Sequence, residues 1–193
     1  MIGLFGGSFD PVHHGHLIVA RAVAERLGLE GVRFVPAREQ PFKAGRHAAS
    51  PEARAAMLEL AVAGEAGLAV DRVELDRPGP SFTVDTLRAL RSREPGRDFA
   101  LCVGADAARD LADWREAAAL PGLATLVVFA RPGAPVPGQL PAGTQVVEAP
   151  QLDISATDVR ARVREGRSIR YLVPEPVAAY IAAHRLYRES QEC

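Results

Sequence analysis

Short apolar runs alternate with amphipathic stretches along the chain. The apolar runs have the length of β-strands and lie at residues 2–5, 32–35, 68–75, 99–103, 125–130 and 144–147. Between them, apolar residues recur at helical spacing, which predicts helices at residues 16–27, 50–62, 83–93 and 177–186, one beginning near Ser155, and two short ones around Leu111 and Trp114. This alternation predicts a Rossmann-like, doubly wound α/β fold, with a mostly parallel sheet and helices on both faces. In such sheets, ligands bind beyond the carboxyl ends of the strands, where the strand order reverses.

The composition suits a chain with one hydrophobic core. Of its 193 residues 48% are hydrophobic, and we expect a single domain over residues 1–193 in which residues 153–193 form a C-terminal helical part. The net charge of −1 argues against broad capture of nucleic acid or of an anionic membrane. The apolar runs are far shorter than a membrane span, and no basic leader precedes the first strand. Two cysteines make no disulfide framework. We therefore expect a cytoplasmic protein.

The first turn of the predicted sheet holds the candidate chemistry. Between the first strand and the first helix, from Gly6 to His16, the chain reads GGSFDPVHHGH. Twin glycines allow the backbone to approach a ligand closely, and the helix N-terminus that follows offers unpaired N–H groups to anions. The spacing is neither that of a P-loop nor G-x-G-x-x-G, so neither of those phosphate-binding loops is predicted.

Three of the histidines fall within four positions of this turn, and three interpretations are open. His13 and His16 could donate hydrogen bonds to phosphate oxygens without acting as proton carriers. They could instead bind a metal, although no convincing set of Cys or carboxylate partners occurs at ligand spacing. The third interpretation is a helix cap combined with one core histidine.

A second candidate anion site lies at residues 154–160, which read ISATDVR. Ser155 and Asp158 have the spacing of a helix capping box. Arg160 follows one turn into the predicted helix, where its guanidinium could fork onto phosphate oxygens. An ordinary capping box with a surface arginine is the alternative.

These two segments resemble the signatures of the nucleotidylyltransferase superfamily. The residues from His13 to His16 match (H/T)xGH, and the whole loop from Gly6 is nearly identical to that of the bacterial nicotinate mononucleotide adenylyltransferase family. Residues 154–160 resemble that family's ISSTxIR motif, with Ala156 where the second Ser is usual.

Three further stretches are similar to the same family. Residues 81–87 resemble SYTxDTL, with Phe82 where Tyr is usual, and residues 104–114 match GADxxxxLxxW. A proline-rich loop that carries a lysine is matched by Pro36, Pro41 and Lys43. The matches extend from Gly6 to Arg160, which is most of the chain.

The resemblance implies adenylyl transfer from ATP to nicotinate mononucleotide, in NAD biosynthesis, with Mg²⁺ carried by the ATP phosphates and no metal ligands from side chains. The residues it implies for catalysis are His13, His16, Lys43 and Arg160. Those it implies for ATP and its phosphates are Gly6, Gly7, Ser8, Phe9, His16, Gly104, Asp106, Ile154, Ser155, Thr157 and Arg160. Those it implies for nicotinate mononucleotide are Ser8, Lys43, Thr83, Thr86, Asp106, Trp114, Arg115 and Arg131.

Some of these residues also have an argument of their own. Lys43 is the one lysine among 23 basic residues, and Arg cannot replace Lys where a compact charge is needed, although chance is the alternative. Trp114, the only Trp, could stack on an electron-poor pyridinium ring or fill the core. Thr86, the backbone N–H groups around it and Arg115 could bind the ring's carboxylate, or Asp85 and Thr86 could be capping residues. Asp106 could hold a ribose hydroxyl or orient the metal-bound phosphates.

The implied reaction needs little acid–base chemistry. Its nucleophile is the 5′-phosphate of the mononucleotide, whose second pKa is about 6, so we expect no general base and no covalent intermediate. Alignment and charge stabilisation would carry the rate. Phosphopantetheine adenylyltransferase, which shares both phosphate motifs, and a non-catalytic nucleotide sensor stay open as other functions, and a homo-oligomer stays open beside a monomer.

Overall fold

In the computed structural model, residues 1–39, 47–130, 135–150 and 152–188 are described, and within them six strands form one parallel sheet. The strands are β1 (Ile2–Gly7), β2 (Gly31–Pro36), β3 (Leu68–Val70), β4 (Phe99–Gly104), β5 (Thr125–Ala130) and β6 (Gln145–Glu148). Their order across the sheet is β3-β2-β1-β4-β5-β6, so the direction in which strands are added reverses between β1 and β4. The predicted doubly wound α/β fold is confirmed.

Helices cover both faces of the sheet. They are α1 (His14–Leu27), α2 (Pro51–Val62), α3 (Thr83–Arg93), α4 (Ala105–Ala108), α5 (Leu120–Leu123), α6 (Ala156–Arg164) and α7 (Glu175–Ala183). Neighbouring strand residues point to opposite faces, so Cys102 packs with α1, α2 and α7, whereas Leu101 packs with α3, α4 and α5. None of the helices in the described ranges is both long enough and apolar enough to cross a membrane.

Two predicted element boundaries are wrong for a local reason. The strand predicted at residues 68–75 ends at Val70, because the Asp71 carboxylate accepts from Val73 N–H (3.1 Å) and bends the chain. The last helix ends at Ala183 rather than at residue 186, because Arg185 has a φ of 51° and cannot continue a right-handed helix.

The region around Leu111 and Trp114 also differs from the prediction of two short helices. It holds α4, which begins at Ala105, and two single 3-10 turns at Leu111–Asp113 and Ala117–Ala119. Trp114 lies between these turns in extended conformation, with ψ 145°. Its side chain is therefore held by a loop at the carboxyl end of β4 rather than by a helix.

Candidate active site

A cavity of about 770 Å³ opens at the carboxyl ends of β1, β2 and β4, where the strand order reverses. This is where the sequence predicted a ligand site. Its wall includes many of the residues that the sequence singles out, namely Gly6, Gly7, Thr83, Thr86, Gly104, Asp106, Trp114 and Arg115. The loop after Gly7 continues from this wall into α1, but His13, His16 and Arg160 are not among the residues that line the cavity.

The two glycines at the end of β1 serve different purposes. A Cβ at Gly6 would meet no protein atom within 4 Å, so this glycine leaves backbone open to the cavity. A Cβ at Gly7 would lie 3.0–3.2 Å from the ring of Phe9. Phe9 has a φ of 50° and is buried, with its ring edge-on to His16 at 5.0 Å between centroids. The Phe9 side chain therefore packs in the core, and its backbone is the part that a ligand could contact.

The histidine pair is held at the N-terminus of α1. The rings of His13 and His16 stack at 3.7 Å between centroids, with 25° between their planes. His16 Nδ1 accepts from the His13 backbone N–H (3.2 Å), so a neutral His16 ring carries its proton on Nε2. A Cβ at Gly15 would lie 3.0 Å from His13 Nδ1, so any larger residue at this position would press on the His13 ring. Among the described residues, no three His, Cys, Asp or Glu side chains form a group that could hold a metal.

The second motif lies against the first. Arg160 Nη1 donates to the Asp10 carbonyl oxygen (2.6 Å), and Arg160 Nη2 lies 3.4 Å from Thr157 Oγ1. The Ser155 hydroxyl accepts from Asp158 N–H (3.1 Å), which confirms the Ser155 half of the predicted capping box, whereas the Asp158 carboxylate accepts from Arg162 Nε (2.9 Å). The N-terminal ends of α1 and α6, where the helix dipoles are positive, are thereby brought to the same edge of the sheet.

Asp10 joins three parts of the chain, a role that sequence reasoning missed. Its buried carboxylate accepts from Ala48 N–H (2.7 Å), Ala49 N–H (3.2 Å) and the Tyr187 hydroxyl (2.7 Å). Burial first, and then the Asp10 charge, raise the pKa of Tyr187, so its hydroxyl stays protonated and donates. The histidine loop is therefore anchored to the segment before α2 and to the segment after α7.

Arg54 is a second anchor that was not predicted. Its guanidinium is fully buried and donates to the carbonyl oxygens of Ser8 (2.6 Å), Ala37 (2.7 Å) and Arg38 (3.1 Å). Burial lowers the pKa of Arg54, and the charge of Asp10 opposes that shift. The loop after β1 and the loop after β2 are thus fixed to one side chain in α2.

Phe82 and Trp114 also line the cavity, and we call the part of the lining that they form the aromatic wall. Arg115 lies over the ring of Phe82, with 4.7 Å from its guanidinium carbon to the ring centroid, and its Nη1 lies 3.4 Å from Asp85 Oδ2. Trp114 is half-buried in the same wall. Asp106, in α4 directly after β4, is exposed, and its Oδ1 lies 3.5 Å from Arg109 Nη2.

Thr86 is tied into this wall by a carboxyl group. Its Oγ1 lies 2.7 Å from Glu74 Oε1, and Glu74 is buried in the loop after β3. Burial raises the pKa of Glu74. Two other residues with implied substrate roles, Lys43 and Arg131, lie outside the described residues, as does Pro41.

Comparisons with known proteins agree over almost the whole chain. The Cytidylyltransferase-like family matches residues 4–162. A protein of Thermus thermophilus named probable nicotinate-nucleotide adenylyltransferase is 49% identical over 187 residues, which cover 97% of this chain and 99% of that protein. A protein of the same name from a Roseiflexus species is 47% identical over 195 residues, with 97% and 98% covered.

A solved structure shares the fold at much lower sequence identity. The Plasmodium falciparum nicotinic acid mononucleotide adenylyltransferase complexed with NaAD superposes with a TM-score of 0.80 at 19% identity. The superposition covers 96% of each chain. The arrangement of strands and helices described above is therefore that of a known enzyme fold.

Proposed function

We propose that this chain, which belongs to the nicotinate-nucleotide adenylyltransferases within the Cytidylyltransferase-like family, joins nicotinate mononucleotide to the AMP half of ATP. The products are nicotinate adenine dinucleotide and pyrophosphate, and the reaction belongs to NAD biosynthesis. The observation that carries the proposal is the contact of Arg160 with the Asp10 carbonyl, which brings the second motif against the loop that follows the cavity-lining glycines.

The chemistry that this site supports is transfer between phosphates without a protein nucleophile. The attacking 5′-phosphate has a second pKa of about 6 and is mostly ionised at neutral pH. What limits the rate is the repulsion between two anions and the charge that develops on the transferred phosphate. Donors fixed before the substrate arrives reduce both costs, because they need no reorganisation during the reaction.

We assign the phosphate end of the site to the histidine loop and to α6. His16 donates from Nε2, since its Nδ1 is already held by the His13 backbone. Arg160 is oriented by its bond to Asp10 and adds a fixed positive charge. The open backbone at Gly6 allows a phosphate or ribose to approach without a steric barrier. Lys43 is assigned to the same task from its motif.

We assign the acceptor end to the aromatic wall. The indole of Trp114 suits an electron-poor pyridinium ring, because the face of an aromatic ring is electron-rich. Thr83, Thr86 and Arg115 surround the place that this ring would take, and all three line the cavity. Arg115 and Thr86 supply donors for the ring's carboxylate.

We further propose that Mg²⁺ enters with ATP. Asp106 fits a supporting role, because its exposed carboxylate lines the cavity and could orient the metal-bound phosphates without being a ligand of the ion. When bound, the ion would neutralise charge on the phosphates. We propose a cytoplasmic enzyme acting on small molecules.

Pyrophosphate release tests the function. The purified protein is given ATP and Mg²⁺ with nicotinate mononucleotide, nicotinamide mononucleotide or phosphopantetheine in parallel. Release with the pyridine mononucleotides is expected. Release with phosphopantetheine alone would move the protein to another activity of the superfamily, and nucleotide binding without release from any acceptor would make it a sensor.

A further inference from the structure

Glu74 is a buried carboxyl group in the cavity wall for which the reaction above has no use. Glu74 is 8% exposed and lines the same cavity as Trp114 and Arg115. Acidic side chains are seldom so buried unless they are partnered. The partner here is Thr86, which the proposed function places beside the substituent of the pyridine ring.

Thr86 Oγ1 has three polar neighbours in the structure. It lies 2.7 Å from Glu74 Oε1, 3.2 Å from the Phe82 carbonyl oxygen and 3.2 Å from Arg77 Nη2. A hydroxyl has one proton to donate and two lone pairs that accept. Arg77 can only donate, so it takes one lone pair. One proton and one lone pair are left for Glu74 and for a ligand.

The protonation state of Glu74 therefore decides what Thr86 offers to the cavity. A neutral carboxyl donates its proton to Thr86, which leaves the Thr86 proton for the Phe82 carbonyl or for a bound carboxylate. An ionised carboxyl takes the Thr86 proton, which leaves only a lone pair for the ligand. That lone pair repels a carboxylate oxygen and accepts from an amide N–H.

We propose that Glu74 is a positioning residue that selects between a pyridine carboxylate and a pyridine carboxamide on the acceptor by setting the direction of the Thr86 hydroxyl. The inference rests on the proposed function, because it takes the acceptor to be a pyridine mononucleotide. It adds that Glu74 sets the specificity for the acceptor, and that this specificity changes with the protonation state of the Glu74 carboxyl group.

The surroundings of Glu74 keep it neutral at lower pH and let it ionise as pH rises. Burial raises its pKa, while hydrogen bonds from Thr86 and Ser81 and the charge of Arg77 act the other way. Thr86 comes from α3, Ser81 from the segment before it, and Arg77 from the loop that carries Glu74 itself. Further charged groups in the same cavity wall are Asp106, Asp110, Asp113 and Arg115.

Ser81 is a second polar neighbour of Glu74. Its Oγ accepts from the Arg38 N–H (3.1 Å), and a hydrogen bond from Ser81 lowers the pKa of the Glu74 carboxyl group. A glutamine at position 74 carries an NH₂ group that can donate to Thr86 at every pH.

The test is the ratio of kcat/KM for nicotinate mononucleotide to that for nicotinamide mononucleotide, measured from about pH 4.5, where an ordinary glutamate ionises, up to about pH 9. Ionisation of the attacking phosphate and of the histidines affects both substrates alike, so it cancels in the ratio. In the unmodified enzyme we expect the ratio to fall about tenfold or more with rising pH, the size of one hydrogen bond to a charged group. In Glu74→Gln we expect the ratio to stay at its low-pH value throughout.

Two variants complete the design. Asp76→Asn removes an exposed acid from the same loop and should keep the pH profile of the unmodified enzyme. Thr86→Val keeps the shape but lacks the hydroxyl, so its ratio should be independent of pH. If Glu74→Gln does not fold, the comparison of Thr86→Val with the unmodified enzyme tests the inference instead. A ratio that is constant with pH in the unmodified enzyme, or a pH profile that survives Glu74→Gln, overturns the inference. Failure of the proposed function is a different result, because then neither pyridine mononucleotide supports pyrophosphate release.

Discussion

Replacing Asp10 by asparagine removes the charge at the point where three chain segments meet. In the native protein, Oδ1 accepts from Ala49 N–H and the Tyr187 hydroxyl, and Oδ2 accepts from Ala48 N–H. An asparagine has one oxygen acceptor, so it can keep the two bonds at Oδ1. Its NH₂ group then faces the Ala48 N–H at a distance that was 2.7 Å between donor and acceptor.

The magnitude follows from these contacts. The lost bond to a charged acceptor is worth about 1.5–3 kcal/mol, and the two that remain become neutral, which weakens each by about 1 kcal/mol. The contact between the asparagine NH₂ group and the Ala48 N–H, which are both donors, adds to the loss of stability. The neutral asparagine avoids the cost of desolvating a buried charge, which reduces that loss. We expect Asp10→Asn to lower the free energy of unfolding by about 3 kcal/mol.

Urea unfolding followed by circular dichroism measures the change, with an unaltered m-value as the check that the folded and unfolded states are comparable. Asp98→Asn is the matched control, because Asp98 is an exposed aspartate, and it should change stability by less than about 0.5 kcal/mol. Tyr187→Phe and the double variant complete a cycle, in which we expect a coupling of about 1 kcal/mol or more. A loss in Asp10→Asn no larger than that in Asp98→Asn would refute the anchoring role.

Two further substitutions address the phosphate end of the site. His16→Ala should lower kcat about a hundredfold while the KM for nicotinate mononucleotide changes little, because the variant loses a fixed donor to developing charge. His14→Ala is the control and should leave kcat nearly unchanged, because His14 lines a different groove. A near-normal kcat in His16→Ala would contradict its role. Gly6→Ala should leave stability within about 1 kcal/mol, since its Cβ meets no protein atom within 4 Å, but should lower activity at least tenfold by filling the cavity. Gly122→Ala, which is equally unobstructed and lies outside the cavity wall, is its control, and equal activity of the two variants would exclude close approach of substrate to Gly6.

Most of the fold was predictable because it depends on local patterns. Strands buried on both faces read as short apolar runs, and helices read as repeats of apolar positions, so five of the six strands were placed within two residues. The reversal of strand order was not visible in spacing, but alternation of strand and helix implied where a ligand would bind. The one long error, at residues 68–75, arose because alternation continues beyond Asp71 although its side chain turns the backbone.

The anchors of the site were not predictable, because they depend on contacts between distant segments. The Tyr187 hydroxyl and the Asp10 carboxylate are 177 positions apart, and Arg54 and Ser8 are 46 apart. One signal was present for Arg54, which lies on the apolar stripe of α2 with Met57, Leu58 and Ala61. A charged residue at such a position must find buried partners. Glu74 had no comparable signal, since the pairing with Thr86 exists only once α3 is packed.

The bond between Tyr187 and Asp10 has a consequence for how the protein is made. It closes a loop of 177 positions, and contacts of such separation form late because closing a longer loop costs more chain entropy. A chain emerging from the ribosome exposes its glycine–histidine turn first, yet the tyrosine that secures this turn is translated long afterwards. The surroundings of this turn are therefore complete only when translation has passed residue 187.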